Sequence, residues 1–266
     1  MRAGPKNWNV RVREAETLAR GEGFRAIRER IVQLAAPGEH DVAVDIGAGT
    51  GLLTLALAGR VRGVWAIDSS PAMCEYLRAK AASAELDNVA VALADATSLP
   101  LVDGCAQLVV SNYCFHEMRD AEKELALGEV FRVLAPGGRL VIGDMMFSLN
   151  PARGRDRAVV ASKVSTIARR GLPGMWRLAK NGARIVAGRW EHPAGAEWWA
   201  PALRRAGFVE VEVRTFEHEG GIARASRPAQ AEAEAEAPAQ APTARSTAEP
   251  PSERAPLSAV AFTDRR

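Results

Sequence analysis

The feature that most constrains the fold is a regular alternation of short apolar segments with segments of helical spacing. The apolar runs have the length and composition of buried strands; they span residues 41–47, 63–68, 89–95, 106–112 and 139–147. The helical segments span residues 23–36, 50–58, 71–86 and 121–134. Strands that alternate with helices predict a parallel sheet with helices on both faces.

The end of this region follows a different pattern. A helix is predicted over residues 198–208, closed by Gly207, and two extended runs then flank the turn "HEGG". Such a pair predicts a β-hairpin, in which one strand runs against the rest of the sheet. We therefore predict an α/β fold: a Rossmann-like, seven-stranded, mostly parallel sheet with an antiparallel last strand.

Composition sets the domain organisation. The chain has 266 residues with 47% hydrophobic content, enough for one full core and an appendage. From residue 224 the sequence is rich in Ala, Glu and Pro and poor in large apolar side chains. Such a segment cannot bury enough surface to offset its chain entropy. We predict one domain over residues 1–223 and a disordered tail over residues 224–266.

Several protein classes are disfavoured. The sequence has no apolar stretch of membrane-spanning length, and its N-terminus lacks the apolar centre of a secretory signal. Cys74, Cys105 and Cys114 are odd in number and fit no zinc spacing. We therefore expect a cytoplasmic protein with reduced thiols and no metal site. The net charge of +3 does not by itself indicate a nucleic-acid partner.

The junction "VDIGAGTG" carries the first functional signal. Gly47, Gly49 and Gly51 lie between a strand and a helix, where free backbone N–H groups bind nucleotides. Leu52 stands where a dinucleotide fold requires its third glycine, and no lysine completes a P-loop. Asp45 precedes the glycines, which favours a ligand with a cationic group.

Polar side chains also end the next three strands. Asp68 ends the second strand, where a carboxylate can accept from both hydroxyls of a ribose. Asp95 ends the third, where it can accept from an exocyclic amine, and Ser111 and Asn112 end the fourth. Because the carboxyl ends of parallel strands meet at one edge, we expect these groups to converge on one crevice.

With these residues the chain resembles a class I S-adenosylmethionine-dependent methyltransferase of the quinone-biosynthesis-like, small-molecule branch. The resemblance covers residues 27–223 and is strongest over 44–147, where "EVFRVLAPGGRLVIGD" is similar to the family's helix and fifth strand. It implies S-adenosylmethionine as the cofactor. It also implies twelve cofactor-binding residues: Asp45, Gly47, Ala48, Gly49, Gly51, Asp68, Ser69, Met73, Asp95, Ala96, Ser111 and Asn112.

The resemblance assigns roles to part of this set. The glycine loop would wrap the methionine part of the cofactor, with Asp45 near its amino group. Asp68, with Ser69 beside it, would hold the ribose. The run over residues 68–73 matches the family pattern D-x-S-x-x-M, which puts Met73 against the adenine. Asp95 would meet the adenine amine, and the N–H of Ala96 a ring nitrogen.

The loop "SNYCFHEM" (111–118) faces the methyl group in this family. His116 is the candidate general base, since imidazole titrates near neutral pH; the alternative is that it packs or caps the following helix. Tyr113 is the second candidate catalytic residue and a candidate pocket wall. Asp144, at the end of the fifth strand, would cap or brace the substrate lid. The loop lacks the paired prolines of nucleic-acid amino methyltransferases.

An insert over residues 150–193 interleaves ten Lys and Arg residues with apolar ones. Inserts at this place commonly form a substrate lid in the family, and a basic amphipathic lid is typical of an anionic or lipid-like substrate or of peripheral membrane contact. An ordinary solvated helix face is the alternative. We expect C- or O-methylation of a phenolic, quinone-like or lipid-like small molecule. The rival functions are an RNA or protein methyltransferase and a non-catalytic, cofactor-binding regulatory or scaffold protein.

Overall fold

The computed structural model forms one seven-stranded sheet within the residues that it describes. These are residues 7–148, 152–169, 171–173, 175–176, 179, 191–216 and 219–229. The strands are β1 (Val42–Ile46), β2 (Gly63–Asp68), β3 (Val89–Leu93), β4 (Ala106–Asn112), β5 (Leu134–Met145), β6 (Val209–Thr215) and β7 (Gly220–Ser226). The helices are α1 (Val12–Ala19), α2 (Glu22–Ala35), α3 (Thr54–Ala58), α4 (Pro71–Ser83), α5 (Asp120–Val133), α6 (Gly154–Ala168) and α7 (Ala196–Arg205).

The strand order is β3-β2-β1-β4-β5-β7-β6. Strands β1 to β5 pair in parallel, and β7 pairs antiparallel with both β5 and β6. This confirms the predicted sheet and its reversed last strand. The chain runs outward from β1 through β2 to β3 and then returns to β4 on the other side of β1. That change of direction opens a crevice at the carboxyl ends of β1 and β4, where α/β sheets bind ligands.

Side-chain alternation along the strands builds two cores, one on each face of the sheet. In β1, Val44 and Ile46 belong to the core that includes Leu127 of α5 and Trp199 of α7. Ala43 belongs to the opposite core, together with Ile31 of α2 and further side chains of α3. Because both faces are covered, all five residues of β1 are buried, and this burial fixes the position of the turn that follows.

The predicted boundary at residue 224 is too early. Residues 224–226 continue β7, where Arg224 pairs with Val141 and Ser226 with Arg139 of β5. Arg227 then donates to the carbonyl of Phe131 and lies over its ring, 4.8 Å from the centroid. Backbone pairing with β5 therefore orders a segment whose composition alone indicates disorder. The rest of the predicted tail, residues 230–266, lies outside the described residues.

The described part of the basic insert contacts the domain. Arg155 donates to the carbonyl oxygens of Met146 and Phe216, and Lys163 pairs with Glu219 at 3.0 Å. These two cations are therefore engaged by neighbouring protein groups. Residues 150–151, 170, 174, 177–178 and 180–190 of the insert lie outside the described residues. No helix among the residues that the structure describes is long and apolar enough to cross a membrane.

Candidate functional site

The glycine turn between β1 and α3 lies against the loop that follows β4. Gly47, Gly49 and Gly51 have φ values of +69°, +52° and +88°. A Cβ atom at Gly47 would lie 2.5 Å from both Cβ and Sγ of Cys114. A side chain is therefore disfavoured at Gly47, because its φ is left-handed and because its Cβ would collide with Cys114. Gly51 does not line the cleft described below, so its role is to shape the turn.

Replacing Gly47 with alanine is expected to lower the free energy of unfolding by about 2 kcal/mol or more, through a left-handed φ and the contact with Cys114. Chemical denaturation measures this. Gly59→Ala is the matched control, because Gly59 has a negative φ and nothing lies within 4 Å of its added Cβ. Equal stability of the two variants would show that Cys114 moves freely and that the junction is not rigid.

Asp45 lies at the start of this turn and is 1% exposed. Its carboxylate accepts a hydrogen bond from Oγ1 of Thr54 at 2.6 Å. Burial raises the pKa of Asp45 to about 6, against the lowering effect of the Thr54 bonds. The group lines the cleft, so a cationic ligand atom nearby would favour its ionised form.

The affinity for S-adenosylhomocysteine is therefore expected to rise about tenfold between pH 5 and pH 7, because the ionised fraction of an acid with this pKa grows from about one tenth to about nine tenths. Calorimetric titration at several pH values measures it. In Asp45→Asn the affinity should not change with pH over this range. The same slope in wild type and variant would mean that Asp45 does not face the ligand's ammonium.

Asp68, at the end of β2, organises the adjacent backbone. One carboxylate oxygen accepts from the N–H of Gly49 and the other from the N–H of Ser70, both at 2.8 Å. Burial raises the pKa of Asp68, and these N–H donors oppose the rise. The carboxylate thus ties the glycine turn to the start of α4, and its remaining lone pairs can accept from ligand hydroxyls.

Four more predicted residues line the same cleft: Ser69, Met73, Asp95 and Ala96. Met73 is 3% exposed, and its N–H donates to Oγ of Ser70, which caps α4. Asp95 is exposed and accepts from the N–H and hydroxyl of Thr97. Apolar Met73 and polar Asp95 on one cleft suit a planar base with an exocyclic amine, which is the environment that the resemblance implies.

Ser111 and Asn112 separate at the end of β4. Ser111 is fully buried, donates its hydroxyl to the carbonyl of Ile46 and does not line the cleft. Its observed contact joins β4 to β1, which does not support the predicted cofactor contact. Asn112 does line the cleft, and its buried Oδ1 has no hydrogen-bond donor among the described residues. A buried acceptor of this kind fits a ligand that brings a donor, such as an ammonium.

The N-terminal segment covers one side of the cleft. Oδ1 of Asn9 accepts from the hydroxyl of Ser70 at 2.7 Å and from the N–H of Ala72 at 3.2 Å. Glu16 of α1 pairs with Lys80 of α4 at 2.9 Å, and Lys80 also donates to the carbonyl of Thr50. These contacts fasten residues 7–19 over the turn.

Asn9→Ala is expected to raise the dissociation rate of S-adenosylhomocysteine by about tenfold, because the variant loses the two hydrogen bonds that hold the N-terminal segment over the cleft. Stopped-flow displacement with a fluorescent analogue measures the rate. Glu14→Gln, an exposed change on α1, is the control. An unchanged rate in Asn9→Ala would show that the segment does not retain the ligand.

Tyr113 and His116 form the far end of the cleft. Tyr113 has φ +53°, and its ring lies 5.0 Å from Phe24 and 6.0 Å from His116 between centroids. His116 is buried, with its Nδ1 2.7 Å from Oδ1 of Asp144 and its backbone N–H donating to Oδ2. Asp144 therefore fixes both the backbone and the ring of His116, which leaves Nε2 as the ring nitrogen that faces Glu117.

The electrostatics of His116 are set by its neighbours. Burial lowers the pKa of the imidazole, but the charge and hydrogen bond of Asp144, with a smaller effect of Glu117, outweigh it and raise the pKa to about 10. Burial, with Glu219 and Asp144, raises the pKa of the Tyr113 hydroxyl. Asp144 therefore favours the protonated form of His116, and burial favours the neutral form of Tyr113.

These residues enclose a cleft of about 870 Å³, within the usual range for small-molecule sites. Its described lining has one histidine and no lysine or arginine. The acids that line it are Asp45, Asp68, Asp95, Glu117, Glu122, Glu191 and Glu219. The glycine turn, the buried carboxylate of Asp45, the half-buried carboxylate of Asp68 and the unsatisfied Oδ1 of Asn112 together fit a ligand that carries hydroxyl and ammonium donors.

Sequence reasoning missed part of this site. It predicts that Asp144 caps or braces the lid, whereas Asp144 pairs with His116. Glu191 joins the far end from the insert, 74 residues after Glu117 by numbering, and no motif marks it. Asn9 carries no motif either, because its role depends on how the N-terminal segment crosses α4.

Comparison with known proteins agrees with the fold and the cleft. Residues 43–138 match the model of a methyltransferase domain. A demethylmenaquinone methyltransferase of Thermus thermophilus is 41% identical over 117 residues, which are 43% of this chain and 52% of that protein. The chain spans about half the length of the curated relatives it matches. This similarity fits the quinone-biosynthesis-like branch.

Solved structures share the fold. A Methanococcus maripaludis protein assigned to the S-adenosylmethionine-dependent methyltransferases superposes with a TM-score of 0.60 at 22% identity, over 86% of this chain and 98% of its own. The cyclase SpnF superposes with a TM-score of 0.56 at 17% identity, over 77% and 81% of the two chains. Over residues 43–138 the chain is therefore similar to methyltransferase domains, and its strand order is that of a fold shared with a protein assigned to the S-adenosylmethionine-dependent methyltransferases, which implies S-adenosylmethionine as the cofactor.

Proposed function

We propose that the protein transfers the methyl group of S-adenosylmethionine to a small-molecule acceptor held beside Tyr113 and His116. The observation that carries the proposal is one continuous cleft, which runs from the glycine turn and Asp68 to the buried His116–Asp144 pair. The domain match and the similarity to a methyltransferase support it. The cofactor supplies an electrophilic methyl group when bound.

The chain's own residues bind, orient and exclude water. Asp45, Asp68 and Asn112 offer acceptors to the cofactor's ammonium and hydroxyl groups, and Gly47, Ala48 and Gly49 let the backbone approach it. Met73, Asp95 and Ala96 form the base pocket. In-line displacement depends mainly on alignment and desolvation. The segment over residues 7–19 closes the cleft, and Phe24 packs on Tyr113 at the acceptor end.

For the acceptor we propose C- or O-methylation of a neutral phenolic, quinol-like or lipid-like compound. The Thermus relative is named for demethylmenaquinone, which supports this class. An anionic acceptor, the alternative that the basic insert suggested, fits the described lining less well, because this lining holds seven acids and no lysine or arginine. Tyr113 and Phe24 offer ring faces, and His116 offers a hydrogen-bond partner for an acceptor oxygen.

The acceptor class is tested with matched compounds. Purified protein, S-adenosylmethionine and a naphthoquinol should yield S-adenosylhomocysteine and a methylated product, detected by mass spectrometry. For the same ring bearing a carboxylate, the KM should be about tenfold higher or more, because its binding brings two like charges together in a desolvated site. Equal kinetics for the two compounds would contradict a neutral acceptor.

The rival functions have distinct outcomes. If methyl transfer occurs only with RNA or protein, and its rate falls steeply as the salt concentration rises, the acceptor is a polyanion that binds the basic insert. Tight cofactor binding with no methylated product from any acceptor fraction would support a non-methylating role, and the shared fold of SpnF shows that a protein named as a cyclase can have this architecture.

Two further proposals concern where the protein acts. Cys74, Cys105 and Cys114 are free thiols, the form that a reducing compartment such as the cytoplasm maintains. Peripheral membrane contact would use the insert, where Leu172 and Trp176 are 86% and 74% exposed. Co-sedimentation with anionic vesicles tests this contact, and Trp176→Ser should reduce it.

A further inference from the structure

We propose that His116, Glu117 and Glu191 bind a divalent first-row metal cation at the acceptor end of the cleft. A role for this cation in catalysis rests on the proposed function, whereas the binding of the cation does not. This departs from the prediction, made from the cysteines, of no metal site. The cation would be of the Mn²⁺ or Zn²⁺ type, which imidazole and carboxylate ligands accept.

The geometry brings one nitrogen and two carboxylate oxygens together. Ligand atoms of the three residues all lie within 4.8 Å of one another. Nε2 of His116 is 3.5 Å from Oε1 of Glu117. Ligand atoms of a tetrahedral site with bonds of about 2.1 Å are separated by about 3.4 Å, so this edge already has the required length.

His116 has the supporting partner that metal-bound histidines have. Its Nδ1 lies 2.7 Å from Asp144, which leaves Nε2 directed to Glu117, and a bound cation would take the place of the proton on Nε2. Metal ligands of this type usually bind a carboxylate through their other ring nitrogen, which fixes the ring and raises its basicity. Asp144 is fully buried and also accepts the backbone N–H of His116, so the ring cannot turn without breaking both contacts.

The next residue in the chain, His192, holds Glu191 near His116. The N–H of His192 donates to the carbonyl of His116 at 2.7 Å. The carbonyl of His192 accepts from Nζ of Lys123, a fully buried lysine that also pairs with Asp120. The chain thus uses a buried cation to fasten residues 191–192 against the loop after β4, and the position of Glu191 is fixed by the fold.

The chemistry of the cluster suits a cation. It offers one imidazole nitrogen and two carboxylate oxygens, and Asp144 adds a third carboxylate at the other ring nitrogen of His116. A dication with an open coordination position could hold a hydroxyl or carbonyl oxygen of the acceptor beside Tyr113, which narrows the acceptor to oxygen-bearing compounds.

Binding is tested with Mn²⁺ alone, followed by the loss of its free electron paramagnetic resonance signal. Full-length protein saturated with S-adenosylhomocysteine should bind one Mn²⁺. Glu191→Gln and His116→Gln should each weaken this binding by about tenfold or more. Glu75→Gln on α4 and His40→Gln, both exposed changes away from the cleft, are the controls. Zn²⁺ should compete with Mn²⁺.

The outcomes separate this inference from the proposed function. Binding equal in the controls and in the two site variants, or no Mn²⁺ binding, overturns the metal site. Unchanged cofactor affinity in Glu191→Gln shows that the variant is folded. If a cationic amine acceptor occupies these carboxylates instead, Mn²⁺ will not bind while an amine is methylated, which also overturns it. Failure of cofactor binding with intact Mn²⁺ binding would overturn the proposed function alone.

Discussion

Replacing Asp68 with asparagine is expected to weaken the binding of S-adenosylhomocysteine by about 100-fold. The carboxylate holds the N–H groups of Gly49 and Ser70 and is proposed to accept from the ribose. Asparagine loses the charge and turns an NH₂ group toward one of these donors. Charge-assisted hydrogen bonds contribute about 1.5–3 kcal/mol each, so the loss of one or two gives this change. Isothermal titration calorimetry measures it.

The control for this experiment is Asp103→Asn. Asp103 is exposed, pairs with Arg132 and does not line the cleft. Its variant should bind S-adenosylhomocysteine as wild type does. Thermal unfolding of both variants separates a binding defect from unfolding. An affinity within about twofold of wild type in Asp68→Asn would place the ligand elsewhere.

The second large effect is expected at His116. His116→Gln should lower kcat by about 100-fold or more, the range found for residues that hold or protonate a reacting group. Glutamine keeps a polar side chain but cannot pair with Asp144 as the imidazole does. The affinity for S-adenosylhomocysteine should stay within about twofold, because Asp68 and the glycine turn are untouched. Steady-state kinetics with a saturating acceptor measures kcat.

His40→Gln provides the matched comparison, since the side chain of His40 is 93% exposed. Tyr113→Phe extends the test: a raised KM for the acceptor with unchanged kcat would assign Tyr113 to binding, as a pocket wall. If His116→Gln and His40→Gln both turn over like wild type, the reaction depends on alignment and desolvation alone.

The sheet could be predicted from sequence because its constraints are local. Burial on both faces gives β1 and β2 continuous apolar runs, and Ser70 with Pro71 marks the start of α4. The hairpin of β6 and β7 follows from two extended runs around a glycine turn. Helix α3 begins at Thr54, four residues after the predicted start, because the glycine turn uses residues 50–53.

The proposed cofactor-binding side of the cleft could also be predicted from the sequence. Asp45, the glycines and Asp68 are tied to strand ends, and parallel strands bring such ends together. Ser111 shows the limit of this rule. Successive residues of a strand point to opposite faces, so Ser111 and Asn112 cannot both face the same cleft; Asn112 does, and Ser111 bonds the backbone of Ile46.

The acceptor side could not be predicted in the same way. The pairing of His116 with Asp144 joins residues 28 positions apart on neighbouring elements, and the approach of Glu191 depends on the buried Lys123. The boundary at residue 224 failed for a related reason. The composition of residues 224–226 is polar, but β5 offers an edge to which their backbone pairs regardless of side chain.

The most direct test of the account is a crystal structure with S-adenosylhomocysteine. We expect the ribose hydroxyls within hydrogen-bonding distance of Asp68, the adenine between Met73 and Asp95, and the amino group near Asp45 and Asn112. The sulfur should face the end of the cleft that holds Tyr113 and His116. A ligand bound outside this cleft, or no ligand at saturating concentration, would contradict the proposed methyltransferase function.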